Sequence, residues 1–260
     1  GSGIGRALVR RLVDEGMSVV AADVEAAALD ETVAGTTAVA VPTDVSDAGA
    51  MDALADATYD RFGAAHLVCA NAGVFQGGVS WERSVEDWQW VLGVNLWGPI
   101  HAVRAFVPRM VAGGDEGHVV ITSSMAGLTT AAFSAPYQVS KFGAYGLAES
   151  LAHDLRATGS TVGVSALVPG AVASNIGRSG RNRPDALPAK GGDDVDFVEG
   201  ALQEMTETRG IDPAEVAARV VAAVQADEFL IPTNDDYVQQ LRGRTDAQVR
   251  RELPPMADFT

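Results

Sequence analysis

A phenol and an ammonium group at helical spacing are the side chains in this sequence best suited to proton transfer. Tyr137 and Lys141 are four residues apart, and Ser124 lies thirteen residues before the tyrosine. On a helix, residues at that spacing share a face, so the lysine charge would lie beside the phenol. A tyrosine with a pKa of about 10 is only about 0.1% ionised at neutral pH, and lowering that pKa by about three units requires roughly 4 kcal/mol. Tyr137 is therefore a candidate general acid or base. A packed ring beside a solvated charge is the other explanation of the pattern.

The elements that must position these groups alternate along the chain. Short apolar runs are separated by longer segments of helical periodicity, which is typical of a parallel sheet wrapped by helices. We therefore predict an α/β fold, a doubly wound parallel sheet with helices on both faces, as a single domain over residues 1–260. The predicted strands are 17–22, 37–41, 66–70, 118–122, 161–168 and 228–231, and the predicted helices are 4–15, 48–62, 85–111 and 137–158, with weak helical periodicity over 237–253.

A glycine turn near the first residue indicates a dinucleotide site. Gly3, Ile4 and Gly5 open a predicted helix, and Asp23 follows Gly5 by 18 residues at the end of a predicted strand. Such glycines admit a pyrophosphate to the helix N-terminus, and the acid accepts a hydrogen bond from a ribose hydroxyl. The Asp23 carboxylate would repel a 2′-phosphate, and Ser2 offers no cation to balance one, so NAD is favoured over NADP. No strand precedes the turn, and we expect that an N-terminal strand is missing from the sequence.

The composition excludes several classes of protein. The chain has 19 Lys and Arg against 34 Asp and Glu, and its formal charge of -15 argues against nucleic-acid and membrane partners. No apolar run approaches the roughly 20 residues needed to span a bilayer. The single cysteine, Cys69, cannot form an internal disulfide, which fits a cytoplasmic protein. No metal site is predicted.

Six ordered motifs together connect the chain to a known family. They are the glycine turn with Asp23, Asn71-Ala72-Gly73, Asn95, the run from Ser123 to Gly127, the Tyr137 to Lys141 pentad, and Pro169-Gly170-Ala171-Val172. From Gly1 to about Ser174, the chain resembles the short-chain dehydrogenase/reductase family, which uses an Asn-Ser-Tyr-Lys tetrad on a Rossmann-like fold.

The resemblance implies a catalytic role for each member of the tetrad. Tyr137 would exchange a proton with the substrate oxygen, and Ser124 would hydrogen-bond that oxygen. Lys141 would hold the nicotinamide ribose hydroxyls and favour the phenolate. Asn95 would bend its helix and position a water that links the lysine to solvent. Ser123 is the rival of Ser124, but the thirteen-residue spacing to Tyr137 favours Ser124.

The resemblance also implies a wider set of cofactor contacts. Asp44, followed by Val45, would face the adenine, and the turn at Asn71, Ala72 and Gly73 would run beside the cofactor. Farther along, the nicotinamide carboxamide and phosphate would meet Pro169, Gly170, Val172 and Ser174. Serine at 174 replaces the family's threonine and keeps its hydroxyl.

The chain departs from the family pattern near its start. The first glycine of the family's turn would lie four residues before Gly3 and is not in this sequence. The family sheet has the strand order 3-2-1-4-5-6-7, so omission of the first strand would leave two strands facing an unfilled slot. His66 and Ala70 replace a common acid and a common asparagine, away from the tetrad.

The segment after Ser174 is the predicted substrate loop, over about 175–210, and a C-terminal extension follows over about 233–260. Residues 175–192 are rich in glycine and proline, which predicts a mobile loop. This loop carries four cations, which either are solvated or recognise an anionic substrate such as a coenzyme A phosphate or an acidic carrier protein. They are Arg178, Arg181, Arg183 and Lys190. Four apolar side chains are candidate pocket walls, although core packing explains them almost as well: Phe75, Met125, Phe133 and Phe197.

Large rings crowd the helix that carries Asn95. This density of tryptophan fits burial, partly between subunits; the residues are Trp81, Trp88, Trp90 and Trp97. Ala144 and Ala148 would allow two helices to approach closely. Since members of the family commonly pair through these helices, we predict a homodimer or homotetramer.

The function that this reading favours is an NAD-dependent oxidoreductase that interconverts a secondary alcohol and a ketone. A 3-oxoacyl thioester reductase is the alternative enzyme, supported by the arginine-rich loop and disfavoured by Asp23 and the acidic charge. An alternative of another class is a catalytically silent scaffold or regulator that binds the cofactor.

Overall fold

Six parallel strands lie within residues 1–235 and 237–257, the part of the chain that the computed structural model describes. Each strand falls within two or three residues of a predicted one. They are β1 (Val20–Asp23), β2 (Val39–Pro42), β3 (Leu67–Ala70), β4 (Gly117–Thr122), β5 (Val162–Val168) and β6 (Leu230–Pro232). All pairs are parallel, in the orders β1-β2 and β3-β4-β5-β6.

The strands alternate with helices, as a doubly wound sheet requires. Over the described residues the α-helices are α1 (Gly3–Asp14), α2 (Ala26–Val33), α3 (Ala48–Phe62), α4 (Val85–Leu92), α5 (Gly98–Gly113), α6 (Ala135–Ala157), α7 (Asp193–Arg209), α8 (Pro213–Gln225) and α9 (Tyr237–Arg250).

Apolar side chains on the two faces of the sheet separate into two cores. Val119 and Ile121 of β4 pack with α3, α5 and α6, whereas Val120 packs with α1 and α8. Successive residues of a strand point to opposite faces, so an unbroken apolar run indicates burial on both sides. The predicted Rossmann-like α/β fold is confirmed.

A cavity separates β1 from β3. Its volume is about 530 Å³, and its walls include both strands and parts of α1, α3 and α5. In the family order 3-2-1-4-5-6-7, β2 and β1 correspond to family strands 3 and 2, and β3 corresponds to family strand 4. The cavity therefore lies between family strands 2 and 4. The C-terminal ends of β1 and β3 nevertheless reach the same edge of the molecule, where the loops that follow them line one pocket.

The helix predicted over 85–111 is wrong in detail. It is divided into α4 and α5 by a π-helical turn, Gly93–Trp97. Such a turn adds a residue to the helical repeat and is frequent at functional sites. Asn95 is buried in its centre. The turn therefore serves to direct this side chain inward.

Three helices lie outside the segments predicted to be helical: α2, α7 and α8. The start of α8 carries a clear signal, because Asp212 caps the Ala214 amide at 2.8 Å and Pro213 occupies the first turn. Within the segment predicted as a mobile loop, a 3-10 helix spans Ile176–Asn182.

The side chains proposed to form a subunit interface have different environments. Ala144 and Ala148 are fully buried and face the core of their own chain, so close helix approach between subunits does not follow from them. Trp90 is 3% exposed, whereas Trp81 is 83% and Trp97 53% exposed.

Two further expectations concern the whole chain. Within the described residues, no helix is both long and apolar enough to cross a membrane. Cys69 lies in β3, and burial raises the pKa of its thiol to about 12. A thiol with that pKa is almost entirely protonated at neutral pH, so Cys69 is a poor nucleophile.

Opposite outcomes are expected from two substitutions on α6. Ala144→Leu adds volume to a filled core and should lower the free energy of unfolding by about 1 to 3 kcal/mol. Gly146→Ala, at an exposed position with open space beside it, should raise that free energy by up to about 1 kcal/mol. Urea unfolding of both variants measures the difference. If Ala144→Leu left stability unchanged, the packing of α6 described above would be incorrect.

Candidate active site

The turn at the start of α1 is built to admit a ligand against backbone. Gly3 has a φ of +46°, and a Cβ atom there would lie 3.2 Å from the Ser174 Cβ. A Cβ at Gly5 would lie 3.0 Å from the Asn71 Nδ2. The N-cap residue, Ser2, makes no side-chain hydrogen bond to the first turn, which also contains no acid. These uncapped amides and the positive end of the helix dipole fit a pyrophosphate.

Asp23 ends β1 beside this turn. The Glu25 amide donates to the Asp23 Oδ1 at 2.8 Å. The carboxylate is therefore fixed next to the glycine turn, as ribose binding requires.

Most of the predicted cofactor residues line one cavity of about 520 Å³ at the C-terminal edge of the strands. The cavity brings together Ser2, Gly3, Ile4, Asp23, Asp44, Val45, Asn71, Ala72, Gly73, Tyr137, Lys141, Pro169, Gly170, Val172 and Ser174. Gly5 is not part of this lining and lies behind the turn, against Asn71.

Asp44 lies at the cavity rim with an exposed side chain. Its Oδ1 accepts hydrogen bonds from the Ser46 amide at 2.9 Å and the Ser46 hydroxyl at 2.7 Å. These bonds fix the carboxylate that is predicted to face the adenine.

Lys141 is buried next to Tyr137 in the first part of α6. Its Nζ donates to the Thr122 carbonyl at 3.0 Å and lies 5.7 Å from the centroid of the tyrosine ring. Burial lowers the pKa of Lys141 from 10.5 to about 8. Burial also raises the pKa of Tyr137, and a hydrogen bond with Ser124 opposes that rise. The sequence predicted a lowered phenol pKa, but desolvation dominates in this environment.

The two adjacent serines have distinct partners. The Ser123 hydroxyl is buried and donates to the Lys141 carbonyl at 2.8 Å. A Cβ at Gly127 would lie 2.2 Å from that hydroxyl oxygen, so only glycine fits there. Ser124 lines the cavity beside Tyr137, and its hydroxyl accepts from the Ala126 amide at 3.1 Å and donates to the Pro169 carbonyl at 3.4 Å. This arrangement favours Ser124 as the residue that meets a substrate oxygen.

Asn95 joins the loop after Gly73 to α6. Its Oδ1 accepts from the Val74 amide at 2.8 Å, and its Nδ2 donates to the Val74 carbonyl at 2.9 Å and to the Ser140 hydroxyl at 3.0 Å. All of these groups are buried. Asn95 therefore fixes the backbone beside Lys141, while its suggested hold on a water stays a prediction.

Of the four apolar side chains predicted as pocket walls, Phe75 and Met125 line the cavity. The Phe75 ring packs against Tyr137 with centroids 5.1 Å apart. Phe133 and Phe197 do not line it and are 46% and 72% exposed.

The cations of the substrate loop do not form a free anion site. Each has a carboxylate partner: Arg178–Glu207 at 3.0 Å, Arg181–Glu25 at 2.7 Å, Arg183–Asp87 at 2.8 Å and Lys190–Glu82 at 2.8 Å. The suggested recognition of an anionic substrate loses its support, because every positive charge considered for it is already neutralised. Within the described residues there is also no cluster of three or more His, Cys, Asp or Glu side chains able to hold a metal.

Several residues that build the site were not found from the sequence. Ser140 holds Asn95, Ser179 holds the Phe75 backbone, and Glu25 binds the substrate loop. These contacts join residues between 45 and 156 positions apart, so no local spacing indicates them. Ser140 alone had a signal, since it lies inside the Tyr137 to Lys141 pentad.

Comparison with known proteins agrees with this geometry. Residues 1–185 match the family model described as short chain dehydrogenase. The chain is 35% identical over 268 residues to the 1-deoxy-11-beta-hydroxypentalenate dehydrogenase of Streptomyces exfoliatus, a match that covers 98% of this chain and 88% of the relative.

Two solved structures are also similar. A short chain dehydrogenase/reductase from Burkholderia phymatum in complex with NAD has a TM-score of 0.96 at 36% identity, covering 99% of this chain and 94% of the other. A metagenomic short-chain oxidoreductase in complex with NADP has a TM-score of 0.66 at 30% identity, covering 89% and 90%.

The fold and the site define an oxidoreductase that binds a nicotinamide cofactor and acts on hydroxyl or keto groups. The chain belongs to the short-chain dehydrogenase/reductase family.

The buried lysine predicts a gain in stability when it is removed. A pKa lowered from 10.5 to about 8 on folding corresponds to about 3 kcal/mol of destabilisation at pH 7. Lys141→Met should therefore raise the free energy of unfolding of the cofactor-free protein by about 1 to 3 kcal/mol, since loss of the bond to Thr122 offsets part of the gain. Because the folded pKa is the lower one, this gain is full below pH 8 and disappears as the pH rises towards about 10.5.

Denaturant unfolding of both proteins at several pH values measures this effect. Lys190→Met is the matched control, because Lys190 is half exposed and paired with Glu82. A Lys141→Met variant less stable than the parent at pH 7 would show that burial of the Lys141 ammonium does not destabilise the folded protein.

Proposed function

We propose that this protein is an NAD-dependent dehydrogenase that interconverts a secondary alcohol and a ketone, with Tyr137 as general acid and base. The observation that carries the proposal is the meeting of Tyr137, Ser124 and the buried Lys141 in one cavity. Bound at the glycine turn, the nicotinamide cofactor would accept or supply the hydride.

The residues of the chain divide the remaining work. Ser124 holds the substrate oxygen beside the Tyr137 hydroxyl, which takes the proton of an alcohol or gives one to a ketone. Lys141 holds ribose hydroxyls and, while protonated, stabilises the phenolate. Since its pKa is about 8, most Lys141 side chains carry the charge at neutral pH.

A second acid lies near Asp23 but is paired with a cation. Glu25 stands two residues after Asp23, and both side chains line the adenosine side of the cavity. The hydrogen bond from Asn182 keeps the pKa of Glu25 low, against the opposing effect of burial. Because Glu25 is paired with Arg181, the preference for NAD rests on the Asp23 carboxylate, which disfavours a 2′-phosphate. The similarity to the NAD complex from Burkholderia phymatum supports the same choice.

The substrate that the cavity favours is bulky, neutral and apolar. The cavity lining includes the apolar side chains of Phe75, which packs on Tyr137, and of Met125, Leu187, Leu202 and Met205. A pocket of this kind holds its ligand mainly by burial of apolar surface.

Except for Lys141, the charged side chains of the described cavity lining lie on the cofactor side. Lys141 is at the catalytic centre, and the others in the described lining are on the cofactor side: Asp23, Glu25, Asp44 and Arg181. A 3-oxoacyl thioester with its anionic carrier is less well matched. The Streptomyces exfoliatus relative, by its name, acts on a hydroxypentalenate.

A cofactor-binding scaffold is also less favoured. Burial of the Lys141 ammonium destabilises the fold, and a protein without turnover gains nothing from that cost.

We also propose a homo-oligomer, supported by the exposed apolar side chains of Trp97, Val111 and Val139 on and beside α5 and α6.

Removal of the phenol hydroxyl tests the proposed function. Tyr137→Phe should lower kcat by about 100- to 10,000-fold on any alcohol that the parent oxidises, because no proton acceptor remains. The affinity for NADH, followed by fluorescence titration, should change less than threefold.

Tyr145→Phe is the matched control, because Tyr145 lies on the same helix with its ring against Phe229. This variant should keep the parent kcat. Retention of activity by Tyr137→Phe would refute the assignment of the acid/base residue.

The cofactor preference has its own test. Asp23→Ser removes one of the two carboxylates and should raise the ratio of kcat/KM for NADP over NAD by about tenfold. Asp30→Asn changes an exposed acid on the neighbouring α2 and should leave the ratio as it is. An unchanged ratio in Asp23→Ser would mean that this carboxylate does not face the ribose.

A further inference from the structure

The 3-10 helix Ile176–Asn182 crosses the active-site cavity from its catalytic side to its adenosine side. On the catalytic side, the Ser179 hydroxyl accepts from the Phe75 amide at 2.8 Å and donates to the Phe75 carbonyl at 3.2 Å. Phe75 in turn packs on Tyr137. The segment is thus bonded to the backbone that forms one wall of the catalytic site.

On the adenosine side the same segment binds Glu25. The Glu25 Oε1 accepts from the Arg181 Nη2 at 2.7 Å and from the Asn182 Nδ2 at 2.6 Å. The Glu25 amide is itself bonded to the Asp23 carboxylate. One carboxylate oxygen therefore connects the substrate loop to the residues expected to hold the cofactor ribose.

Two neighbouring ion pairs of the substrate loop differ in strength. Just after the 3-10 helix, Arg183 pairs with Asp87, and their side chains are 6% and 0% exposed. Arg181 and Glu25 are 38% and 32% exposed. Exposed pairs are weak and exchange with water, whereas a buried pair does not open without leaving an uncompensated charge. The contact with Glu25 is therefore the weaker of the two and can open while Arg183 stays paired with Asp87.

We propose that Glu25 is a latch residue that holds the segment Ile176–Asn182 across the adenosine half of the bound dinucleotide and slows its release. This proposal rests on the proposed function, since it requires that NAD(H) occupies the cavity. The residues concerned all line that cavity: Glu25, Ser179, Arg181 and Asn182. Glu25 is a positioning residue, because it acts on the cofactor through the loop.

The latch also links the cofactor site to the substrate site. Because one short segment bonds both Glu25 and the Phe75 backbone, release of its Glu25 end loosens the wall against which Tyr137 packs. Loss of the latch therefore raises the KM for the alcohol as well as the dissociation constant of NADH. The proton-transfer groups themselves keep their positions.

The rate of NADH release tests the proposal directly. Glu25→Gln keeps the size of the side chain and removes the charge that binds Arg181. In stopped-flow fluorescence, NADH should dissociate from this variant three to ten times faster than from the parent. Arg181→Gln should give a similar rate, and the double variant should be no faster than either single one, because each removes the same ion pair.

A second measurement follows the loop without cofactor. Limited trypsin digestion of the cofactor-free protein should cut within residues 176–192 at least three times faster in Glu25→Gln than in the parent. Glu207→Gln is the matched control, since it breaks the exposed Arg178–Glu207 pair of the same loop away from Glu25. This control should keep the parent rate of NADH release.

The outcomes separate the two proposals. A parent protein that binds no NADH would refute the proposed function, whereas unchanged NADH release in Glu25→Gln beside normal binding by the parent would refute the latch alone. An equal acceleration in Glu207→Gln would also refute it, because any loop ion pair would then suffice. If Glu25→Gln does not fold, the Arg181→Gln and Asn182→Ala variants test the same bonds from the loop side.

Discussion

The burial of one ammonium group constrains the rest of this structure. Lys141 is 3% exposed, and its Nζ donates to the Thr122 carbonyl; among residues 1–235 and 237–257, no carboxylate forms an ion pair with it. An ion without a partner must be held by the packing around it, since it would otherwise turn towards water. The Ser123 hydroxyl bonded to the Lys141 carbonyl and the bonds of Asn95 to Ser140 provide that rigidity.

Much of the fold could be predicted from the sequence because its signals are local. Apolar runs located the strands β1 to β6 within a few residues, and ordered motifs indicated the glycine turn and the polar side chains that the structure gathers around Tyr137. The division of the helix over 85–111 was missed, because a π-helical turn is produced by tertiary contacts of Asn95 with Val74 and Ser140. Contacts between distant residues, such as Glu25 with Arg181, leave no pattern in either segment.

In this strongly acidic chain, carboxylates pair with the cations of the substrate loop. Three of the four cations of the substrate loop bind a carboxylate of another segment and the fourth, Arg178, binds Glu207 within the loop, so that the loop is attached by charge rather than repelled. Screening by solvent makes the exposed pairs weak, and burial makes the Arg183–Asp87 pair persistent. The loop is therefore held by one buried ion pair and several exposed, weaker ones.

The π-helical turn Gly93–Trp97 separates two helices that would otherwise share one continuous surface. Since each residue of an α-helix advances by about 100°, one extra residue rotates everything beyond it by more than a quarter turn. The face of α4 that carries Asp87 towards the substrate loop and the face of α5 that packs on α3 are therefore out of phase. Deletion of a single residue in this turn would bring the two faces into phase. Either α4 would then turn Asp87 away from the substrate loop, or α5 would turn its packing face away from α3.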